Sequence, residues 1–98
     1  MDKRLQLLGL AQRAGKVVTG EEAVLRAIRS GQAAAVILAE DASDNTRKRF
    51  TDKCSYYDVP LWHMGTRTEL GRAIGKPERV VIALTDPGFA RAMRQKAE

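Results

Sequence analysis

The chain has 98 residues, 44% of them hydrophobic and 30% charged, which predicts one globular domain over residues 1–98 and excludes a disordered or membrane-embedded chain. Seventeen lysines and arginines against twelve acidic residues give a net charge of +5, and their spread over both halves of the sequence favours a polyanion bound by a folded surface. The single cysteine, Cys54, excludes an internal disulfide and a cysteine zinc site, and a start without a signal peptide predicts a cytoplasmic protein with no membrane contact.

Helical periodicity and short apolar runs alternate along the chain and predict five helices and four strands. In chain order these are a helix over 2–14, a strand over 16–19, a helix over 20–30, a strand over 35–39, a helix over 43–57, a strand over 60–64, a helix over 66–75, a strand over 80–84 and a helix from 86 onward. Gly15, Gly31 and Gly75 mark the ends of the first, second and fourth helices, since glycine is the usual residue just after a helix.

Capping signals define three helix starts. Thr19 with Glu22, and Thr66 with Glu69, each fit the capping box, in which each side chain bonds the backbone N–H of the other residue. The pair Asp86-Pro87 places a capping residue and a proline at the first turn of the last helix.

The pattern of the strands predicts the fold class. Residues 35–39 and 80–84 are apolar at every position, which is typical of strands covered on both faces. We therefore expect an α/β protein, a three-layer α/β/α sandwich with a four-stranded mixed sheet. The third helix is polar apart from a thin stripe of Phe50, Cys54 and Tyr57, which we expect to face the core.

The sequence does not support an enzyme. Gly15–Gly20 has the glycine spacing of a phosphate loop, but Glu21 and Glu22 stand where Lys and Ser or Thr belong and would repel a phosphate. His63 and Cys54 would need a third orienting group to act as base and nucleophile. Both are more typical of ordinary strand and core positions.

Acidic residues after the second predicted strand leave two interpretations open. Glu40, Asp41 and Asp44 have the oxygen ligands that Mg²⁺ prefers. They equally fit a capping turn, because carboxylates are stabilised at the start of a helix. We expect a non-catalytic protein without a cofactor or a metal.

The basic residues have both functional and ordinary interpretations. Glu22, Arg26 and Arg29 lie on one side of the second helix, either as a binding ridge or as a solvated face with a Glu22–Arg26 ion pair. Residues 75–79 place two cations around a proline, either as a phosphate-binding loop or as an ordinary turn. Residues 47–49, Arg-Lys-Arg, are typical of a solvated helical face. Composition and spacing therefore predict only a basic α/β domain with RNA as a candidate partner.

Five segments carry a family resemblance. They are Gly-Glu-Glu-Ala-Val-Leu-Arg-Ala-Ile-Arg-Ser-Gly over 20–31, Ala-Val-Ile-Leu-Ala-Glu-Asp over 35–41, Val-Pro over 59–60, Glu-Leu-Gly-Arg-Ala-Ile-Gly-Lys over 69–76 and Asp-Pro-Gly over 86–88. In their order and spacing they resemble the kink-turn RNA-binding ribosomal protein family, of the L-seven-Ae and L-thirty-e type. Leu-Gly-x-Ala-x-Gly-Lys is the most specific part, and residues 7–16 are similar to the small bacterial members of the YlxQ type.

The resemblance implies a four-stranded sheet between helices and recognition of sharply bent RNA with tandem sheared G·A pairs. We expect a monomer that is associated with the ribosome or acts on another structured RNA. The start of the second helix would enter the widened major groove, and the loop before the last strand would hold an extruded nucleotide. The first surface comprises Gly20, Glu21, Glu22, Ala23 and Arg26, and the second comprises Gly75, Lys76, Pro77, Glu78, Arg79 and Val80. Lys16, Arg29, Lys76 and Arg79 would reach phosphates.

The sequence departs from the family's pattern on the first surface. Many members have Asn-Glu or Lys-Gln, followed by Lys, at the positions of Glu22, Ala23 and Arg26. Arg26 keeps the charge, but the side chain of Ala23 cannot hydrogen-bond a base edge, and that of Glu22 can only accept. The alternative function is therefore a protein-interaction module on the same fold, with weak or lost RNA binding.

Overall fold

Helices and strands alternate along the chain as the sequence predicts. In the computed structural model, which describes residues 2–97, the elements are α1 (Lys3–Arg13), β1 (Val17–Thr19), α2 (Glu21–Arg29), β2 (Ala35–Leu38), α3 (Asp44–Tyr57), β3 (Leu61–His63), α4 (Arg67–Ala73), β4 (Val81–Leu84) and α5 (Pro87–Ala97). The ends of the predicted domain, Met1 and Glu98, lie outside the described residues. Each helix and strand is present, with bounds close to the predicted ones.

The four strands form one mixed sheet in the order β1-β4-β2-β3. β2 pairs in parallel with β3, with Leu38 opposite His63. β4 lies between β2 and β1 and runs antiparallel to both. β1 and β3 are therefore the edge strands, and the predicted mixed sheet is confirmed.

Helices cover both faces of this sheet. Alternate side chains of β2 point in opposite directions, as expected for a strand with a period of two: Ile37 packs with buried residues of α1, α4 and α5, whereas Val36 packs with those of α2 and α3. Leu8 and Phe50 are fully buried, one in each core, and burial of such a side chain contributes about 1.5–3 kcal/mol. The three-layer α/β/α sandwich is confirmed.

One of the two predicted capping boxes is present, and the one predicted at Thr19 is wrong. Thr66 Oγ1 accepts from the Glu69 N–H at 3.2 Å, and Glu69 Oε1 accepts from the Thr66 N–H at 2.9 Å. Thr19 belongs instead to β1, and its hydroxyl donates to the Val81 carbonyl at 3.5 Å. Because strand pairing holds Thr19 in the sheet, the N-cap of α2 is one residue later, at Gly20, which has no side chain to cap the helix.

The predicted apolar stripe of α3 is correct at Phe50 and Cys54, both of which are buried, and wrong at Tyr57. Tyr57 is 39% exposed and makes an edge-to-face contact with Tyr56, with ring centroids 4.9 Å apart. The helix ends at this point, because Asp58 adopts a left-handed conformation with φ of 58°. The ring of Tyr57 therefore lies beyond the part of the helix that packs on the sheet.

Candidate nucleic-acid interface

The start of α2 is an open helix end. Gly20 is its N-cap, with φ of 96°, a backbone conformation that residues other than glycine rarely adopt. Apart from Gly20 and its two chain neighbours, no atom of the described residues lies within 4 Å of the position that a Cβ on Gly20 would take. Since no side chain caps the helix, the first backbone N–H groups of α2 are available to an external acceptor such as a phosphate.

The loop over residues 75–80 packs directly on α4 through a glycine contact. A Cβ on Gly71 would overlap the carbonyl group of Pro77 and would lie 2.8 Å from Glu78 Cα. The Lys76 N–H donates to the Gly71 carbonyl at 2.9 Å, which closes the turn after the helix. Gly75 has φ of 71° and makes that turn possible. Gly71 therefore lets the loop lie against the helix at backbone distance.

The carbonyl of Val81 brings the start of α2 and this loop together. It accepts from the Gly20 N–H and from the Thr19 hydroxyl, each at 3.5 Å. Val81 follows the loop and Gly20 precedes α2, so the two predicted surfaces lie side by side at one end of the sheet. The Ala39 N–H donates to the Val80 carbonyl at 2.9 Å and fixes the end of the loop from the other side.

An arginine from α3 pairs with both carboxylates at the start of α2. Arg49 Nη1 lies 3.3 Å from Glu21 Oε1, and Arg49 Nη2 lies 3.5 Å from Glu22 Oε1. These groups are exposed enough that the pairs add little stability, since surface ion pairs contribute about 0–1 kcal/mol. Their main effect is to neutralise part of the negative charge that a phosphate would meet. Within residues 2–97, Glu22 forms an ion pair with Arg49 and not the pair with Arg26 that the interpretation as a solvated face included.

A chain of contacts from β2 to the loop holds Arg79. Asp41 Oδ1 accepts from the Arg67 N–H at 2.9 Å, and this backbone hydrogen bond, aided by the Arg67 guanidinium, lowers the pKa of the Asp41 carboxyl below its usual value near 3.8. The Arg67 carbonyl in turn accepts from the Arg79 N–H at 3.0 Å. The Arg79 guanidinium donates to the carbonyls of Glu78 at 2.9 Å and Pro77 at 3.3 Å. Asp41 thus acts on the loop through the first residue of α4.

Two predicted phosphate contacts lie at the other end of the sheet. The Lys16 carbonyl accepts from the Thr85 N–H at 3.0 Å, and the Ala34 N–H donates to the Leu84 carbonyl at 2.7 Å. Lys16 and the end of α2, with Arg29, therefore lie near the end of β4, whereas Gly20 lies near its start. Both side chains are exposed, and both lie away from the start of α2.

The alternative sites considered from the sequence gain no support. Burial raises the pKa of the Cys54 thiol to about 11, so a thiolate nucleophile is disfavoured at neutral pH. Among residues 2–97 no three His, Cys, Asp or Glu side chains form a group that could hold a metal ion. Asp41 is instead engaged by Arg67, as a residue of a structural turn. In the same part of the chain no helix has the length and apolar character needed to cross a membrane.

Three residues of the interface have roles that the sequence analysis did not assign. Gly71 lies within Leu-Gly-x-Ala-x-Gly-Lys, the most specific segment of the family resemblance, and nothing else in the sequence indicated a role for it. Arg49 belongs to a basic run that was interpreted as a solvated face, and no sequence pattern places it opposite the start of α2. Arg67 follows the capping residue Thr66, and nothing in the sequence predicted its contact with Asp41.

Comparison with known proteins identifies the family. The model described as "Ribosomal protein L7Ae/L30e/S12e/Gadd45 family" matches residues 2–94. The chain is 56% identical over 87 residues to "RNA-binding protein YlxQ" of Bacillus subtilis (strain 168), covering 89% of this chain and 87% of that protein. It is 45% identical over 96 residues to "RNA-binding protein YlxQ" of Enterococcus faecium, covering 98% and 92% of the two chains.

A solved structure agrees with this assignment. A Bacillus halodurans C protein described as having unknown function superposes with a TM-score of 0.95 at 49% identity, covering 98% of this chain and 97% of that one. Likeness in fold and in sequence therefore extends over nearly the whole chain. Because the family model matches almost every residue, the chain belongs to the ribosomal protein L7Ae/L30e/S12e/Gadd45 family.

Proposed function

We propose that this protein is a non-catalytic RNA-binding protein that recognises kink-turn-like RNA and works in the cytoplasm as a monomer associated with the ribosome. The observation that carries the proposal is the joining of the α2 start and the 75–80 loop through the Val81 carbonyl. The names of the Bacillus subtilis and Enterococcus faecium relatives, both RNA-binding proteins, support the RNA as the partner.

The start of α2 suits a distorted RNA groove. Regular A-form RNA has a major groove too narrow for a helix, whereas a kink widens it. The uncapped N–H groups after Gly20 would face phosphate oxygens, and Arg26, exposed in the last turn of the helix, would add a positive charge. Arg49 neutralises part of the charge of the two carboxylates at this point, which reduces their repulsion of RNA at the start of α2.

The 75–80 loop is held in place before any RNA binds. Its backbone packs on Gly71, and the N–H groups of Lys76 and Arg79 are bonded to α4. A loop that is already ordered loses less conformational entropy on binding, which favours affinity. The exposed side chain of Lys76 would then reach a phosphate beside an extruded nucleotide.

A titration of two RNAs tests the proposal. A kink-turn RNA and a straight duplex of equal length are titrated with the protein, with and without Mg²⁺. We expect tighter binding of the kink-turn RNA, and a slope of log K against log salt of about −3 to −5 if four to six phosphates are neutralised. Equal binding of the two RNAs would overturn the kink-turn proposal and favour the protein-interaction module.

Two arginines of α2 provide a matched pair of variants. Arg26 and Arg29 both lie in the last turn of α2 and are exposed, and Arg26 is three residues nearer to the start of the helix. We expect Arg26→Ala to weaken binding of the kink-turn RNA more than binding of the duplex, because Arg26 is close to the widened groove. Arg29→Ala should lower both affinities by a similar, smaller factor. If Arg26→Ala also lowered both affinities equally, Arg26 would supply charge alone.

A further inference from the structure

A shallow groove of about 490 Å³ lies between β3 and α5, away from the α2 start. The residues that line it are Pro60, Leu61, Trp62, Ala90, Arg91 and Arg94. Its lining, as far as the described residues form it, combines an aromatic ring with two guanidinium groups and includes no acidic side chain. Neither the function proposed above nor the family resemblance assigns a role to these residues.

Trp62 forms the aromatic wall of the groove. It is the one tryptophan of the chain and lies in the middle of β3, opposite Ile37 of β2. The ring is half-buried and packs against the core formed with α1, α4 and α5. One part of the side chain is therefore fixed by the core while another part lines the groove, as in aromatic platforms on which bases stack.

The opposite wall is basic. Arg91 and Arg94 are three positions apart on α5, so they lie on the same side of that helix, and both are exposed. Guanidinium groups bind phosphates and also stack on bases. A ring for a base beside a positive charge for its phosphate is the combination by which proteins bind unpaired nucleotides.

We propose that the groove between β3 and α5 binds an unpaired nucleotide of the RNA, with its base on Trp62 and its phosphate at Arg91. The charge of the groove favours an anion. The edge of β3 spans only three residues, so an acidic peptide that added a strand there would gain few backbone hydrogen bonds. An RNA strand needs no such bonds, because stacking and charge bind it.

The groove is within reach of the RNA interface. Trp62, the groove residue nearest to this interface, is aligned across the sheet with Ile37 and then with Ile82, the residue after Val81. Two strand spacings separate Trp62 from Ile82, about 10 Å, and the groove extends from Trp62 toward Pro60, at the opposite end of β3. A few unpaired nucleotides that continue from a bent stem would span this distance, so this inference rests on the proposed function for its source of RNA.

The test compares three RNAs: a straight blunt duplex, a blunt kink-turn RNA, and the same kink-turn RNA with a single-stranded extension. Affinity and the fluorescence of the one tryptophan are measured together, because stacking of a base on Trp62 quenches it selectively. We expect the extension to increase affinity at least about fivefold and to quench the fluorescence, which the blunt RNAs should leave largely unchanged.

Variants of α5 supply the control. Arg91→Glu should remove both effects of the extension, while binding of the blunt kink-turn RNA persists. Lys96→Glu makes the same change of charge on the same helix, but Lys96 lines a different surface, against α1, so both effects should persist.

Each remaining outcome decides one proposal. An extension that changes neither affinity nor fluorescence overturns the groove proposal, even if the kink-turn RNA is preferred to the duplex. Quenching by the extension without any preference for the kink supports the groove and overturns the proposed function. Stronger quenching by an oligoglutamate peptide than by the extended RNA would identify an acidic protein partner and overturn the groove proposal.

Discussion

Replacing Gly71 with alanine tests whether the position of the 75–80 loop controls RNA affinity separately from the stability of the fold. In an ordinary helix interior this substitution stabilises by about 1 kcal/mol. Here the new Cβ would overlap the Pro77 carbonyl group and would lie 2.8 Å from Glu78 Cα. Both neighbours are backbone atoms, so the loop must move away from α4 instead of a side chain rotating.

The two effects on stability oppose each other. Forcing an extra methyl group into a packed contact costs about 1–3 kcal/mol, so we expect the free energy of unfolding to fall by at most about 2 kcal/mol. For a chain of this length, each kcal/mol lowers Tm by about 4–8 °C. The change in RNA affinity should be larger than the change in stability, because a displaced loop would lose its contact with a phosphate. Loss of one hydrogen bond to a charged phosphate costs about 1.5–3 kcal/mol, or about ten- to 100-fold in affinity.

Thermal unfolding and titration of the kink-turn RNA are measured on Gly71→Ala and on Thr68→Ala. Thr68 is exposed on the same helix, so its replacement changes helix propensity without touching the loop. We expect weak RNA binding by the first variant and unchanged binding by the second. A Gly71→Ala protein with a raised Tm and full affinity would refute the role assigned to the glycine contact.

Three further predictions concern charges and the cysteine. Arg49→Ala should lower RNA affinity about fivefold at low salt with little change in Tm, because the carboxylates at the start of α2 lose their partner. Lys48→Ala is the control, and an equal loss of RNA affinity in the two variants would contradict the role of the Arg49 ion pairs. Because the folded pKa of Asp41 is lowered, its contribution to stability is present above about pH 4 and is lost as the pH falls through the folded pKa. The Tm difference between wild type and Asp41→Asn should therefore shrink below pH 4, and an NMR titration giving Asp41 an ordinary pKa would argue against its bond to Arg67. Burial of Cys54, with a pKa of about 11, predicts very slow alkylation by iodoacetamide at pH 8 until urea unfolds the chain, whereas rapid labelling of the native protein would contradict the burial.

Patterns that depend on local physics predicted the fold well. The runs over 35–39 and 80–84 predict strands buried on both faces because an apolar side chain at every position leaves no solvent-facing side. The Thr66 box formed because its threonine precedes the helix in an extended loop. The same pattern failed at Thr19, because pairing with β4 kept that residue in the sheet, a long-range contact that no short motif reports.

The candidate interface was predictable only in part. The resemblance indicated the α2 start and the 75–80 loop, and the structure brings these two segments together. It could not indicate Arg49, because the pairing with Glu21 and Glu22 depends on how α3 crosses α2 in space. The separation of Arg29 from Gly20 was predictable, because the predicted helix over 20–30 places the two residues at opposite ends.

The attachment of the interface to β1 has a consequence for the dynamics of the sheet. β1 is an edge strand of three residues, paired on one side by β4, and Thr19 and Gly20 contact Val81 at its end. Opening of this strand would separate the two segments proposed to bind RNA, so RNA should bind only the closed form. By mass action, RNA at 100 times its Kd would raise the free energy of opening by about 2.7 kcal/mol. Amide hydrogen exchange in β1 should then slow about 100-fold, which makes an edge of the sheet a reporter of RNA occupancy.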